Sequence, residues 1–236
     1  MSQTAKPLQI AIDGPAGAGK STVARRLADR LDFLYIDTGA MYRASTWLAL
    51  QKGISLEDGP GIARLASSAD IVLKPADETS EGKIRVFADG QEITRAIRTN
   101  KMSDQVALVA ALKEVREILV ERQRELAGRE SSVIDGRDIG TVVMPQAGLK
   151  IFLTASPEER AHRRLKELEA QGERPDFKDL LAAIKKRDHL DSTRAVSPLA
   201  KAFDAVEINT DQMSIDQVVD TLEKLARQAM SDKCLT

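Results

Sequence analysis

The apolar run Leu8–Ile12 closes on Asp13 and opens into Gly14-Pro15-Ala16-Gly17-Ala18-Gly19-Lys20-Ser21-Thr22. Val23, Leu27 and Leu31 then recur at near-helical spacing, so the segment reads as strand, glycine-rich turn, helix. It fits G-x-x-x-x-G-K-[ST] without a gap. Glycines at these positions let successive backbone N–H groups point inward around a phosphate, where Cβ atoms would interfere. Lys20 supplies a positive charge for the outer phosphates, and Ser21 supplies a hydroxyl for Mg²⁺. The helix starting there turns its positive end toward the anion. The segment therefore predicts a Walker-type nucleotide-phosphate loop. Taken alone it leaves kinase, GTPase and motor ATPase open. The chain has no Asn-Lys-x-Asp guanine-reading sequence, and 236 residues is short for a mechanical ATPase.

Further along, Phe33–Ile36 is a second short apolar run ending in an acid, followed after Thr38-Gly39 by a helical pattern through Met41, Trp47 and Leu50. This βαβα alternation predicts an α/β fold with a parallel sheet covered by helices. Between Gly53 and Thr99 the pattern changes to strand-like pieces at 71–73, 83–87 and 92–94. Asp89-Gly90 between the last two is a hairpin signal. A small antiparallel element does not belong to a parallel core, so 53–99 reads as an insert, with 1–52 and 100–236 as the core. Helical periodicity resumes from about Thr99 to Leu126. Strands follow at 132–134, 149–153 and 206–208, and helices at 156–172, 176–190 and 214–230. Ser156-Pro157-Glu158-Glu159 opens its helix with a cap, a proline and first-turn acids. In this reading five core strands are each followed by a helix.

A net charge of −1 argues against a surface built to hold nucleic acid. The single cysteine, Cys234, excludes an intrachain disulfide and fits a reducing compartment. No stretch is long and apolar enough for a signal or a membrane span, so a cytoplasmic protein is expected.

Three further segments hold candidate site residues. Asp37-Thr38-Gly39-Ala40-Met41-Tyr42-Arg43 follows the second strand, on the edge where parallel sheets bind ligands. Thr38 is either a helix cap or part of a ligand edge, and Arg43 either a solvated side chain or a phosphate contact. Gly136-Arg137-Asp138 is either an ion pair holding a loop or a substrate clamp. Arg187, Asp191 and Arg194 stand at i, i+4 and i+7, so they share a face if the helix continues. That face is either a surface salt bridge or a substrate-facing stripe, for which planar guanidinium forks are suited. Arg160, Arg163 and Arg164 share another face, belonging either to a solvated amphipathic helix or to a lid over the nucleotide.

With these segments in order along nearly the whole chain, the sequence resembles the cytidylate kinases. Ile97-Arg98-Thr99, Val115-Arg116, Asp135 through Val143, and Arg194-Ala195-Val196-Ser197-Pro198-Leu199 complete the match. The resemblance implies a P-loop kinase core, a nucleoside-monophosphate-binding insert and a helical lid over about 156–176. It implies ATP as phosphoryl donor to CMP, and to dCMP, with Mg²⁺, in a monomer that binds neither nucleic acid nor membrane. Kinases for another nucleoside monophosphate such as UMP, small-metabolite P-loop kinases and slow ATP-hydrolysing switches are the alternatives. The resemblance assigns Gly14–Thr22 to the nucleotide and Lys20, Arg137 and Arg160 to catalysis. It places Arg43 and Arg137 on the acceptor's phosphate, with Thr38 and Tyr42 beside them. Arg116, Asp138 and Arg194 fall to the cytosine, and Arg187 and Asp191 to the ribose. One departure stands out: relatives use a helix serine as a base reader where this chain has Ala107, with Ser103 one turn earlier.

Overall fold

A computed structural model describes residues 7–78, 80, 82, 84–170 and 172–233. Cys234 and residues 1–6 lie outside the described residues. The described residues divide into two compact units, one formed by 7–35 with 126–233 and the other by Ile36–Glu125.

The first unit is built on a five-stranded parallel sheet of β1 (Gln9–Asp13), β2 (Leu34–Asp37), β6 (Ser132–Asp135), β7 (Leu149–Thr154) and β8 (Val206–Asn209), in the order β2-β6-β1-β7-β8. β1 is central, and Ile10 to Asp13 are all buried, as expected of a strand covered on both faces. Helix α1 (Lys20–Leu31) sets Val23, Ala24 and Leu27 against Ile10, Ile12, Val133 and Ile151. Helix α8 (Ile215–Lys233) adds Val218, Val219 and Leu222 to the same core. α6 (Pro157–Ala170) and α7 (Phe177–Thr193) are joined where His162 stacks on Phe177 at 4.4 Å between ring centroids. Ser156 caps α6 through its hydroxyl, which accepts from the Glu159 N–H, as the sequence predicts.

The second unit holds α2 (Thr38–Gln51), α3 (Gly59–Ser68), α4 (Asn100–Val109) and most of α5 (Lys113–Ala127). With them is an antiparallel sheet of β3 (Ile71–Lys74), β4 (Arg85–Ala88) and β5 (Gln91–Glu92). Asp89 and Gly90 both have positive φ, 49° and 81°, between paired Ala88 and Gln91. That is the two-residue turn that matches strand twist, and the Asp-Gly pair predicts it.

Four sequence expectations need correction. Helix α3 was not expected, because Gly59-Pro60-Gly61 looks like loop punctuation. Asp58 instead caps the helix by accepting from the Gly61 N–H, and proline is tolerated in a first turn. The helical periodicity read over about Thr99 to Leu126 is divided between two helices. Their junction at Ala110-Ala111-Leu112 tightens to i→i+3 bonds, and Arg116 donates back to the Ala110 carbonyl. After β6 there is one π-helical turn, Ile139–Val143, and not a full helix, because Pro145 has no N–H to continue it and disfavours helical backbone at Met144, which sits at φ −127°, ψ 66°. Finally, α7 stops at Thr193 and Arg194 is extended (φ −60°, ψ 141°), so the stripe of three side chains does not lie on one helix face.

Candidate active site

The nucleotide-loop residues lie wholly in the first unit. β1 delivers the chain to Gly14, whose φ is +145° and where a Cβ would fall 1.9 Å from the Leu153 carbonyl oxygen. Only glycine passes here. The loop enters α1 through Gly19, left-handed at φ 86°, with no side-chain cap among the described residues. Helices α2, α3, α4 and α7 are all capped, by Asp37, Asp58, Thr99 and Asp176. The first-turn N–H groups of α1 are thus left for an outside acceptor, at the positive end of the helix dipole.

Lys20 is buried and donates to the Pro15 carbonyl at 2.7 Å, spanning the loop. Burial and the Arg137 guanidinium push its ammonium pKa down, against the pull of Asp135, Asp13 and Asp191. Ser21 donates to Asp135 Oδ2 at 2.8 Å, and the Tyr35 hydroxyl donates to Asp135 Oδ1 at 2.8 Å. A hydroxyl beside a carboxylate at the end of the neighbouring parallel strand is an all-oxygen pair suited to a hard cation such as Mg²⁺. Asp135 and Tyr35 received no role from the sequence. The signal was available for Asp135, which closes an apolar strand. Tyr35 gave none.

Asp13 sits beneath the loop, with Oδ1 and Oδ2 accepting from the Ile139 and Gly140 N–H groups at 2.8 and 2.7 Å. Its pKa is raised to about 6, chiefly by burial, which the two hydrogen bonds only partly offset. This bond pair fixes the segment that follows Gly136-Arg137-Asp138.

Arg137 donates Nε–H to Asp191 Oδ2 at 2.9 Å, while Arg187 Nε lies 4.0 Å from the same oxygen. Burial raises the Asp191 pKa. Arg137 first, then Arg187 and Arg194, outweigh it and hold that carboxyl below its ordinary value. Arg194 lies 3.5 Å from Asp138 Oδ1 and also bonds the Ser197 carbonyl. Arg137, Asp138, Arg187, Asp191 and Arg194 therefore form one charged cluster, and α7 need not continue for this to hold.

The three arginines of α6 separate in their contacts. Arg160 is buried against Ala16, Ala155 and Asp188; Arg163 binds Glu159 and the Thr210 hydroxyl and carbonyl; Arg164 pairs with Glu167.

In the second unit Asp37, not Thr38, caps α2 by accepting from the Ala40 N–H, and Thr38 is its first residue. The Tyr42 ring lies 5.7 Å from the Arg116 guanidinium carbon, a cation–π distance. Arg43 Nε is buried and has no hydrogen-bond partner among the described residues. Ala107 lies on α4, and the Ser103 hydroxyl donates to the Thr99 carbonyl at 3.3 Å.

A glycine loop running from the central parallel strand into an uncapped helix, with a buried lysine and a strand-end acid beside the loop serine, defines a P-loop nucleotide-binding protein. An uncharacterized protein from Eubacterium ventriosum has a similar fold, with a TM-score of 0.50 at 15% identity over 94% of this chain and 99% of that one. Within that class the chain belongs to the cytidylate kinase family, whose model matches residues 10–228. It is 53% identical over 225 residues to the cytidylate kinase of Exiguobacterium sibiricum, covering 95% of this chain and 99% of that protein. The cytidylate kinase of Shouchella clausii is 51% identical over 224 residues, covering 95% and 98%. No helix among the described residues is long and apolar enough to cross a membrane.

Proposed function

We propose that this chain transfers the γ-phosphoryl group of ATP to CMP, giving ADP and CDP, and that dCMP is a second acceptor. Family membership over nearly the whole chain names the acceptor class. The observation that carries the chemistry is the loop from Gly14 to Thr22 with Lys20, Ser21 and Asp135 gathered at it.

The acceptor's phosphate oxygen forms a bond to the γ-phosphorus while the bond from that phosphorus to the β–γ bridging oxygen breaks, and ADP leaves. The acceptor is ionised at neutral pH, so no general base is required, and the protein's task is alignment and charge neutralisation. Lys20 and the α1 amides hold the donor's outer phosphates. Ser21 and Asp135 are the residues that would hold Mg²⁺, which neutralises charge on the transferring group when bound. Arg137 and Arg43 are assigned to the acceptor's phosphate, with Thr38 and Tyr42 supporting Arg43. Arg116, Asp138 and Arg194 are assigned to the base, and Arg187 and Asp191 to the ribose. Arg160 is assigned to the donor side. The protein acts as a monomer.

The test is ADP release by the purified chain with ATP and Mg²⁺, offering CMP, dCMP, UMP, AMP and GMP in turn. CMP and dCMP are expected to give the highest kcat/KM. ADP release that ignores every acceptor, or that favours AMP or GMP, contradicts the proposal.

A further inference from the structure

Arg160 is 3% exposed, and its guanidinium is almost fully engaged. Nε donates to the Ala155 carbonyl at 3.0 Å, and Nη1 to both the Ala16 carbonyl at 3.1 Å and Asp188 Oδ1 at 2.8 Å. Nη2 donates to Asp188 Oδ2 at 2.5 Å. Of the five N–H donors of an arginine, four are used, and one on Nη2 has no protein acceptor among the described residues. Asp188, on α7, is the only carboxylate on this buried fork among the described residues. A paired fork of this kind is among the strongest side-chain contacts, and a buried guanidinium without its counter-charge is strongly disfavoured.

The Ala16 contact gives the pair its reach. In a trans peptide the carbonyl and the following N–H point in opposite directions. Holding the Ala16 carbonyl on Arg160 therefore aims the Gly17 N–H away from Arg160. Gly17 is left-handed at φ 78°, and a Cβ there would lie 3.3 Å from Arg160 Cβ, so arginine and loop touch closely. We infer that Asp188 is a positioning residue for the donor nucleotide: it fixes Arg160, and through the Ala16 carbonyl it fixes the direction of the Gly17 amide in the phosphate loop. Without Asp188 the guanidinium leaves its buried seat for water, the Ala16–Gly17 peptide is released, and the donor's phosphates lose an oriented N–H. The effect falls on the donor and not on the acceptor. This rests on the phosphotransferase reading above.

The experiment compares wild type, Asp188→Asn, Asp188→Glu, Arg160→Met and the Arg160→Met/Asp188→Asn double variant in the ADP-release assay. ATP is varied at saturating CMP, then CMP at saturating ATP, with ADP affinity measured separately by calorimetry. Asp188→Asn is expected to lower kcat/KM for ATP about tenfold, the scale of one charge-assisted contact, and to weaken ADP binding, while the CMP KM stays within about twofold. Asp188→Glu, which keeps the charge, recovers part of the loss. In the Arg160→Met background the Asp188→Asn change adds less than about twofold, because both act through one contact. Wild-type values for ATP and ADP in Asp188→Asn, whatever its Tm, overturn the inference. So do a loss confined to CMP and full additivity in the double variant. A failure of the phosphotransferase reading shows instead in the wild type, as ADP release that does not depend on CMP.

Discussion

In the first unit Arg160 places four of its N–H groups on Ala155, Ala16 and Asp188, and Lys20 rests on the Pro15 carbonyl. In the second unit Arg43 keeps a buried Nε with no partner among the described residues. A buried cation held by protein acceptors is part of the fold, and it holds its loop in shape before any ligand arrives. A buried donor left without an acceptor costs roughly 1–3 kcal/mol, and an incoming anion can relieve that cost. The cations of the phosphate loop are thus held by the protein itself, whereas Arg43 keeps one buried donor without a partner among the described residues.

Three measurements test this contrast. The largest effect is expected from Lys20→Ala, which removes the one ammonium inside the loop. Turnover should fall about 10³-fold, the scale of losing an oriented electrostatic contact, with an unchanged far-UV circular dichroism spectrum. Turnover within a few-fold of wild type would show that the loop does no chemistry.

Next is Asp13, whose folded pKa of about 6 lies above its ordinary 3.8. The folded chain binds the extra proton between those values, so this group favours folding increasingly as pH falls from about 6 to about 4. The term amounts to about 3 kcal/mol and runs opposite to that of Asp191, whose lowered pKa gives stability that acid removes. Asp13→Asn deletes the term. Its unfolding free energy, from urea titrations across this range, should drop faster on acidification than that of wild type. Parallel curves would mean that burial does not raise the Asp13 pKa.

The smallest effect is expected from Arg43→Met. It removes an unpaired buried donor while keeping the apolar stem, so Tm should stay level or rise. The KM for CMP should rise about tenfold, and that for ATP should not change. A fall in Tm with an unaltered CMP KM would place Arg43 among the structural cations.

The legible parts of the sequence were those where one residue type is obligatory. The motif fixes Gly14, Gly19 and Lys20 and admits only a hydroxyl residue at Ser21, and Asp89-Gly90 specified its own turn. Helix α3 was hidden because proline and glycine mark helix starts as well as loops, and only the Asp58 cap tells which. The α4–α5 break carried no glycine or proline, so periodicity ran straight through it. In the candidate site, Ser21, Arg137, Asp138 and Asp191 were found through their segments. Asp135, Tyr35, Asp13 and Asp188 act by contacts to residues far along the chain, Ser21 to Asp135 being 114 positions apart, and local patterns do not encode such pairings. The stripe of Arg187, Asp191 and Arg194 was expected from helical spacing. Arg187 and Asp191 do share a face of α7, and Arg194, past the helix end, joins the cluster through Asp138.

The Leu153 carbonyl occupies the place where any side chain at position 14 would begin. The entrance to the phosphate loop is therefore set by main chain against main chain, through the parallel register of β1 and β7. Side chains on β7 can change over evolutionary time without moving that entrance, so long as the strand keeps its step. A one-residue slip in β7 would put a different peptide, turned the other way, beside position 14, even with every residue of the loop intact.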